Sequence, residues 1–211
     1  MHSTGIDIGN DSIKIVTLQK RRSGIAVKKA VKYDFEDFGR LKNDDRKQAK
    51  TGLELRKLIE LNSISSRSAV VGLSGSQLMF RYIQLPVVPI WRLKVMMEYE
   101  VTDQESKGIG DCVTDYALLN PPVFSGNLFA MLVFAKRSYV KNVLKVCRAS
   151  GFTPREILPS ASSLFSLNFL QNEGSDDVSM VMDIGANNIN VSIGDGHSLY
   201  FARCISGGGR D

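Results

Sequence analysis

The chain has 211 residues, 43% of them apolar, 23% charged and 8% aromatic, and carries a formal net charge of +5. That balance excludes a disordered, collagen-like or coiled-coil chain, and no apolar run reaches the roughly 18 residues needed to span a bilayer. Three scattered cysteines (Cys112, Cys147, Cys204) and only two histidines (His2, His197) leave no metal-ligand spacing and no disulfide framework, so free thiols in a reducing compartment are expected. The N-terminus lacks a basic flank followed by an apolar core, so no secretory signal is expected and the chain reads as cytosolic.

The elements follow in order. Thr4–Leu18 reads as strand, turn and strand, with Gly9-Asn10-Asp11 at the turn, and Gly24–Tyr33 as a third strand. Lys42–Leu61 has Ala49, Leu53, Leu58 and Leu61 at helical spacing and is predicted to be an amphipathic helix. Ala69–Leu73 is a short apolar run that fits a buried strand. Met79–Leu85 alternates and is stopped by Pro86-Val87-Val88-Pro89. Trp91–Gln104 is predicted to be helical, with Leu93, Met96, Met97 and Val101 inward; Glu105–Gly110 is a loop. Asp115–Leu119 and Leu128–Ala135 read as strands joined through Asn120-Pro121-Pro122. Arg137–Ser150 is a helix with Val140, Val143, Leu144 and Cys147 inside, and Gly151 fits its left-handed stop. Ser160–Gln171 is a further helix, apolar at Leu164, Leu167, Phe169 and Leu170. After a polar break at Asn172–Asp177 come strands at Val178–Ile184, Ile189–Ile193 and Ser198–Ile205, then Gly207-Gly208-Gly209. Flexible glycines bury little, and three strands without a covering helix leave one face of a sheet bare, so the expectation is of a fold cut short.

Charge is uneven. Residues 20–57 hold thirteen Lys/Arg against six Asp/Glu, a net of +7. A solvated face is the simpler reading; an acidic membrane surface or acidic partner is the functional one. The stretch lacks aromatic interleaving, so no specific nucleic-acid partner is expected.

One repeat stands out. Asp7-Ile8-Gly9 followed by Ile13 and Ile15 recurs as Asp183-Ile184-Gly185 followed by Ile189 and Val191. Each copy is a strand, a polar tip and a second strand. The wide separation suggests two related domains, each opening with the same hairpin. A glycine in such a turn lets backbone N–H groups approach an anion. Ser12 adds a hydroxyl, Asn10, Asn187 and Asn188 add amides, and Lys14 adds a positive charge. Two such turns facing each other would clamp a polyphosphate, with Asp7 and Asp183 placed to hold hydrated Mg2+ through water. Single Asp-x-Gly turns are common hairpins; the matched pair carries the inference.

Gly5-Ile6-Asp7-Ile8-Gly9-Asn10-Asp11-Ser12-Ile13-Lys14 resembles the first phosphate motif of the actin, heat-shock chaperone and sugar-kinase superfamily, and Met182-Asp183-Ile184-Gly185-Ala186-Asn187-Asn188 resembles the second. Ala149–Ala161 resembles the connecting segment of bacterial actin-like proteins. Phe80-Arg81-Tyr82-Ile83-Gln84-Leu85-Pro86-Val87-Val88-Pro89 with its Trp/Leu/Met helix, and Phe201–Gly208, are similar to the PilM family of type IV pilus assembly, related to the division protein FtsA. The resemblance implies an α/β, actin-like (ribonuclease H-like) fold: a first lobe from 1–79 and 151–171, an inserted α+β subdomain from 80–150, and an incomplete second lobe from 178–211. It implies ATP and Mg2+ at Asp7, Gly9, Asn10, Asp11, Ser12, Lys14, Asp183, Gly185, Asn187 and Asn188. It also implies a scaffold at the cytoplasmic face of the inner membrane, docking the N-terminal tail of a PilN-like protein in a groove expected near Arg81, Ile83, Leu85 and Trp91. The alternatives are an FtsA-like division adaptor and an ATPase or small-molecule kinase. Leu158–Ser163 offers no acid or Gln to position an attacking water, so slow or absent hydrolysis is expected.

Overall fold

β-branched alternation on either side of a Gly-Asn-Asp turn makes the first two strands pair with each other before anything else can. The computed structural model describes residues 2–22, 24–35, 44–65, 69–104, 108–119 and 126–209. Its elements are β1 (His2–Ile8), β2 (Ser12–Arg21), β3 (Gly24–Asp34), α1 (Asp45–Leu61), β4 (Ala69–Leu73), β5 (Leu78–Pro86), α2 (Ile90–Gln104), β6 (Cys112–Leu119) and β7 (Asn127–Lys136). They continue with α3 (Arg137–Ala149), β8 (Glu156–Pro159), α4 (Ser160–Asn172), β9 (Ser179–Ile184), β10 (Asn188–Gly194) and β11 (Leu199–Ser206).

Three sheets result. A five-stranded sheet runs β3-β2-β1-β4-β8, with β4 parallel to β1, β8 parallel to β4, and β1, β2 and β3 antiparallel in turn. A three-stranded antiparallel sheet runs β5-β7-β6, and a second runs β11-β10-β9. Ile6, Ile8, Ile13 and Ile15 all lie on one face of the first sheet, under Leu55 of α1 and Val143, Val146 and Cys147 of α3. The exposed basic residues Lys20, Arg21, Arg22 and Lys28 surround edge strand β3 and its turn, charge that discourages a further strand from adding there.

The predicted strands are present, and β8 is the one the pattern missed. Four residues are too few to show a period, and this strand exists because β4 offers a free parallel edge. Two helices carry a different buried face from the one expected. In α1 the inward residues are Gln48, Thr51, Gly52 and Leu55, while Leu53 and Leu61 are exposed. The reason is close approach to α3: a Cβ on Gly52 would meet the Ala149 Cβ at 2.5 Å and the Val146 carbonyl oxygen at 3.0 Å. A glycine therefore sits where the two helices come closest. The helix starts at Asp45, with Asp44 as N-cap accepting from the N–H groups of Arg46 and Lys47 at 2.9 and 3.3 Å. In α4, Ala161 and Asn168 are buried and Leu167 and Leu170 exposed. Helix α3 ends as expected, with Gly151 at φ +85°. Its residues Tyr139, Val143, Val146 and Cys147 are buried in the first core.

The β11-β10-β9 sheet is covered on one face by α4, where Ser179 Oγ donates to Asn168 Oδ1 at 2.8 Å and the Phe165 ring fills the space at Gly194. The other face carries Met180, Met182 and Ile184, all exposed. That face is open along β9 only: Val191 of β10, directly opposite Met182, is buried. The glycine run is not the loose end it was expected to be. Gly207 N–H donates to the Asn187 carbonyl at 3.1 Å and Gly209 N–H to that of Gly185 at 2.9 Å, and a Cβ on Gly208 would stand 2.4 Å from the Ala186 oxygen. It backs the second turn at a distance only glycine permits. Lys42 and Asn43, the loop residues 105–107, and Asn120-Pro121-Pro122 lie outside the described residues.

Candidate functional site

The two Asp-Ile-Gly turns are one backbone device used twice. In the first, Gly9 N–H donates to the Ser12 carbonyl at 2.9 Å; in the second, Gly185 N–H donates to that of Asn188 at 2.9 Å. A Cβ on Gly9 would sit 3.2 Å from the Ser12 oxygen and one on Gly185 3.0 Å from the Asn188 oxygen, so both turns are tight at the glycine. Register makes the flanks equivalent: Asp7 is opposite Lys14, and Asp183 is opposite Asn190. The tips meet, with Asn10 Nδ2 donating to Asn187 Oδ1 at 3.4 Å.

Between the turns lies a cleft of about 1110 Å³. It is lined by Asp7, Gly9, Asn10, Asp11, Ser12 and Lys14 from the first hairpin and by Asp183, Gly185, Asn187 and Asn188 from the second, so the ten expected residues converge on one space. The sequence reading missed Lys32, Asp34, the Ser74–Gln77 loop, and Lys136, Ser138, Tyr139 and Asn142 at the start of α3. Lys32 was findable only through register, because it stands directly across β2–β3 from Lys14. The α3 residues arrive by tertiary packing alone.

Charge is arranged as a cross-strand row. Lys14 Nζ lies 3.1 Å from Asp7 Oδ2, and Lys32 Nζ lies 2.8 Å from Asp34 Oδ1. Two lysines side by side repel, and a carboxylate beside each offsets this. Partial burial works against the charge on Lys14, but Asp7, Asp183 and Asp34 outweigh it and raise its pKa. Asp183 Oδ2 instead accepts from Asn190 Nδ2 at 3.2 Å. The floor ties the sheets together: Ser74 Oγ donates to Asn190 Oδ1 at 3.1 Å, Gly75 N–H reaches Cys204 Sγ at 3.1 Å, and Tyr139 donates to the Ser74 carbonyl at 2.8 Å.

This donor set fits a polyphosphate. Hydroxyl and ammonium donors come from the first hairpin and its neighbours, amide donors come from both sides, and the glycines leave no side chain between backbone and anion. It also fits Mg2+, a hard cation that keeps several waters. Among the described residues no group of three or more His, Cys, Asp or Glu side chains surrounds a metal position. A Mg2+ ion near Asp7 and Asp183 would therefore draw its other ligands from phosphate and water.

The four residues expected at a partner groove are spread out. Arg81 is exposed on β5, and Ile83 is half-buried on the same strand face. Leu85 is buried beneath α2 with Leu93 and Met97 and has no surface to offer. Trp91 stands exposed on the outer side of α2. Behind β5, the Tyr82 hydroxyl accepts from the Ala202 N–H at 2.7 Å and donates to the Ala202 carbonyl, and its ring stacks on Phe201 at 5.2 Å. This strap joins β5 to the open edge of β11.

A family model described as type IV pilus assembly protein PilM matches residues 5–211. No curated protein matches the chain. Among solved structures, the chain is similar to one from a PilM-PilN type IV pilus biogenesis complex, with a TM-score of 0.78 at 23% identity, covering 97% of this chain and 61% of that one. It is similar to the cytoplasmic domain of EpsL, an inner membrane component of the type II secretion system of Vibrio cholerae, with a TM-score of 0.57 at 13% identity, covering 98% of this chain and 71% of that one. It is also similar to an exopolyphosphatase from Cytophaga hutchinsonii, with a TM-score of 0.50 at 10% identity, covering 100% of this chain and 52% of that one. The fold is the mixed α/β, actin-like one expected, and the chain spans about three fifths of the solved PilM-PilN chain. Among the described residues no helix is long and apolar enough to cross a membrane.

Proposed function

The chain belongs to the PilM family of type IV pilus assembly proteins, and from that premise we propose that it is a nucleotide-responsive scaffold of pilus assembly. It docks the cytoplasmic tail of a PilN-like inner-membrane protein and works in the cytoplasm, peripheral to the inner membrane. The observation that carries the nucleotide half is the pair of matched turns facing one cleft. The two turns would hold the phosphates of ATP between them. Lys14 and Lys32 would meet the negative charge, and Asp7 and Asp183 would hold hydrated Mg2+ through water. The β3-β2-β1-β4-β8 sheet with α1 and α3 forms the first lobe, β5–β7 with α2 the inserted subdomain, and β9–β11 the start of the second lobe. The Ser74–Asn190 and Gly75–Cys204 bonds make the lobe angle sensitive to what fills the cleft. Hydrolysis is slow, because Leu158–Ser163 presents no carboxylate or amide to a water. The tail uses the surface around Arg81 and Ile83, and the basic edge at β3 faces acidic lipid.

Calorimetric titration with Mg-ATP and with a PilN-like tail peptide tests this. Asp7→Ala should weaken Mg-dependent ATP binding at least about tenfold and leave peptide binding within about twofold. ATP affinity unchanged by the substitution would remove Asp7 from the site; peptide affinity lost with it would remove the separation of the two surfaces.

A further inference from the structure

Helix α2 is apolar on two opposite sides. Leu93 and Met97 fill the core against the β5-β7-β6 sheet. On the far side Trp91, Val95 and Tyr99, each one turn apart, are 68%, 59% and 71% exposed. A surface helix needs one apolar stripe to hold it in place, and the second is surplus to this fold. The charges on α2 are also ordered. Arg92 and Lys94 precede Val95, while Glu98, Glu100 and Asp103 follow it. That is the reverse of what the helix dipole favours, since cations stabilise the C-terminal end and anions the N-terminal end. Lys94 and Glu98 are one turn apart, yet among the described residues neither they nor Arg92 has an ion-pair partner.

We propose that α2 is the contact of a two-fold homodimer, packed antiparallel against α2 of a second copy about Val95. An isologous contact requires a self-complementary surface, and this stripe is one. Reversing one helix brings its basic end to the acidic end of the other and opposes the two dipoles, so both unfavourable features become attractive. At about 100° per residue, Val95 lies opposite the midpoint of Leu93 and Met97, so it faces its own counterpart. Lys94 and Trp91 of one copy then lie beside Glu98 of the other, and Arg92 lies beside the Tyr99 ring. One helix pair is a small interface, which fits a dissociation constant of about 10 to 100 µM. A lipid surface would also accept Trp91 and Tyr99, but the three carboxylates on the same helix oppose an anionic membrane.

Sedimentation velocity from about 1 to 300 µM, spanning that range, should show a reversible monomer–dimer equilibrium. Val95→Glu and, separately, Tyr99→Glu should weaken it at least about tenfold with unchanged circular dichroism. Lys94→Glu should weaken it, and Lys94→Glu with Glu98→Lys should restore it. Val95→Cys should give a dimer on oxidation that reductant reverses. The proposal falls if the chain stays monomeric at every concentration, or if Val95→Glu dimerises like the parent. It falls equally if Met182→Glu, on the bare face of β9, abolishes association while Val95→Glu does not. It also falls if the parent is monomeric and binds phosphatidylglycerol vesicles through Val95.

Discussion

The first and second hairpins share a turn and differ in almost everything around it. Ile8 is 4% exposed and its counterpart Ile184 is 64% exposed. Ile6 is buried under α1 and α3, whereas its counterpart Met182 faces outward, although Ile15 and its counterpart Val191 are both buried. The cross-strand partner of the aspartate changes from Lys14 to Asn190, an ion pair in one copy and an amide hydrogen bond in the other. What survives both environments is the glycine N–H closing back on the residue three positions on. The turn is therefore a local property, stable whether or not a helical layer covers its strands. Stability and charge are assigned by what each copy is packed against.

The widest difference should appear in stability. Ile15→Ala, in the covered hairpin, should cost about 2–5 kcal/mol in urea unfolding, whereas Met182→Ala should change stability by less than about 0.5 kcal/mol. Equal losses would mean that the second sheet is as well packed as the first. Glycine substitutions come next. Gly208→Ala should destabilise by about 1–3 kcal/mol, because its methyl meets the Ala186 oxygen, while Gly5→Ala, with nothing within 4 Å, should be neutral or slightly stabilising. Thermal melts of the two variants would reverse in order if the glycine run did not press on the second turn. Lys14→Met removes a half-exposed ion pair, so it should move stability by less than about 1 kcal/mol while weakening ATP about tenfold. An equal loss of ATP affinity in Asn190→Ala would make the charged and neutral hairpins interchangeable.

The smallest effect is alkaline. Burial pushes the Tyr139 phenol from 10.0 up to about 12. The folded chain then holds that proton more tightly than the unfolded one, so the contribution is complete below pH 10 and is lost as pH rises toward 12. Urea midpoints at pH 8 and at pH 11 should differ less in Tyr139→Phe than in the parent; an identical difference would assign the alkaline loss to other groups.

Strands and turns were legible because their signals are local: alternation in β1, β2 and β10, Pro86 and Pro89 at the end of β5, Gly151 after α3. Helix faces were less so. Leu53 and Leu61 look like core residues by spacing, but α1 comes closest to α3 at Gly52, where a larger side chain has no room. Strand β8 is created by a neighbour and has no pattern of its own. In the cleft, the ten turn residues could be named because a duplicated motif marks them, whereas Lys32 needed the β2–β3 register and Tyr139 needed the docking of α3.

By itself, then, the sequence determined the two turns, their Asp, Gly and amide residues, and the order of the strands, since these depend on backbone preference and period within a few residues. Only the tertiary structure decided that the turns face each other, that Lys14 and Lys32 stand side by side, that Gly207–Gly209 braces the second turn, and that α2 turns Trp91, Val95 and Tyr99 outward. Those features join residues far apart in the chain, and their geometry is set by packing and register, which no local preference encodes.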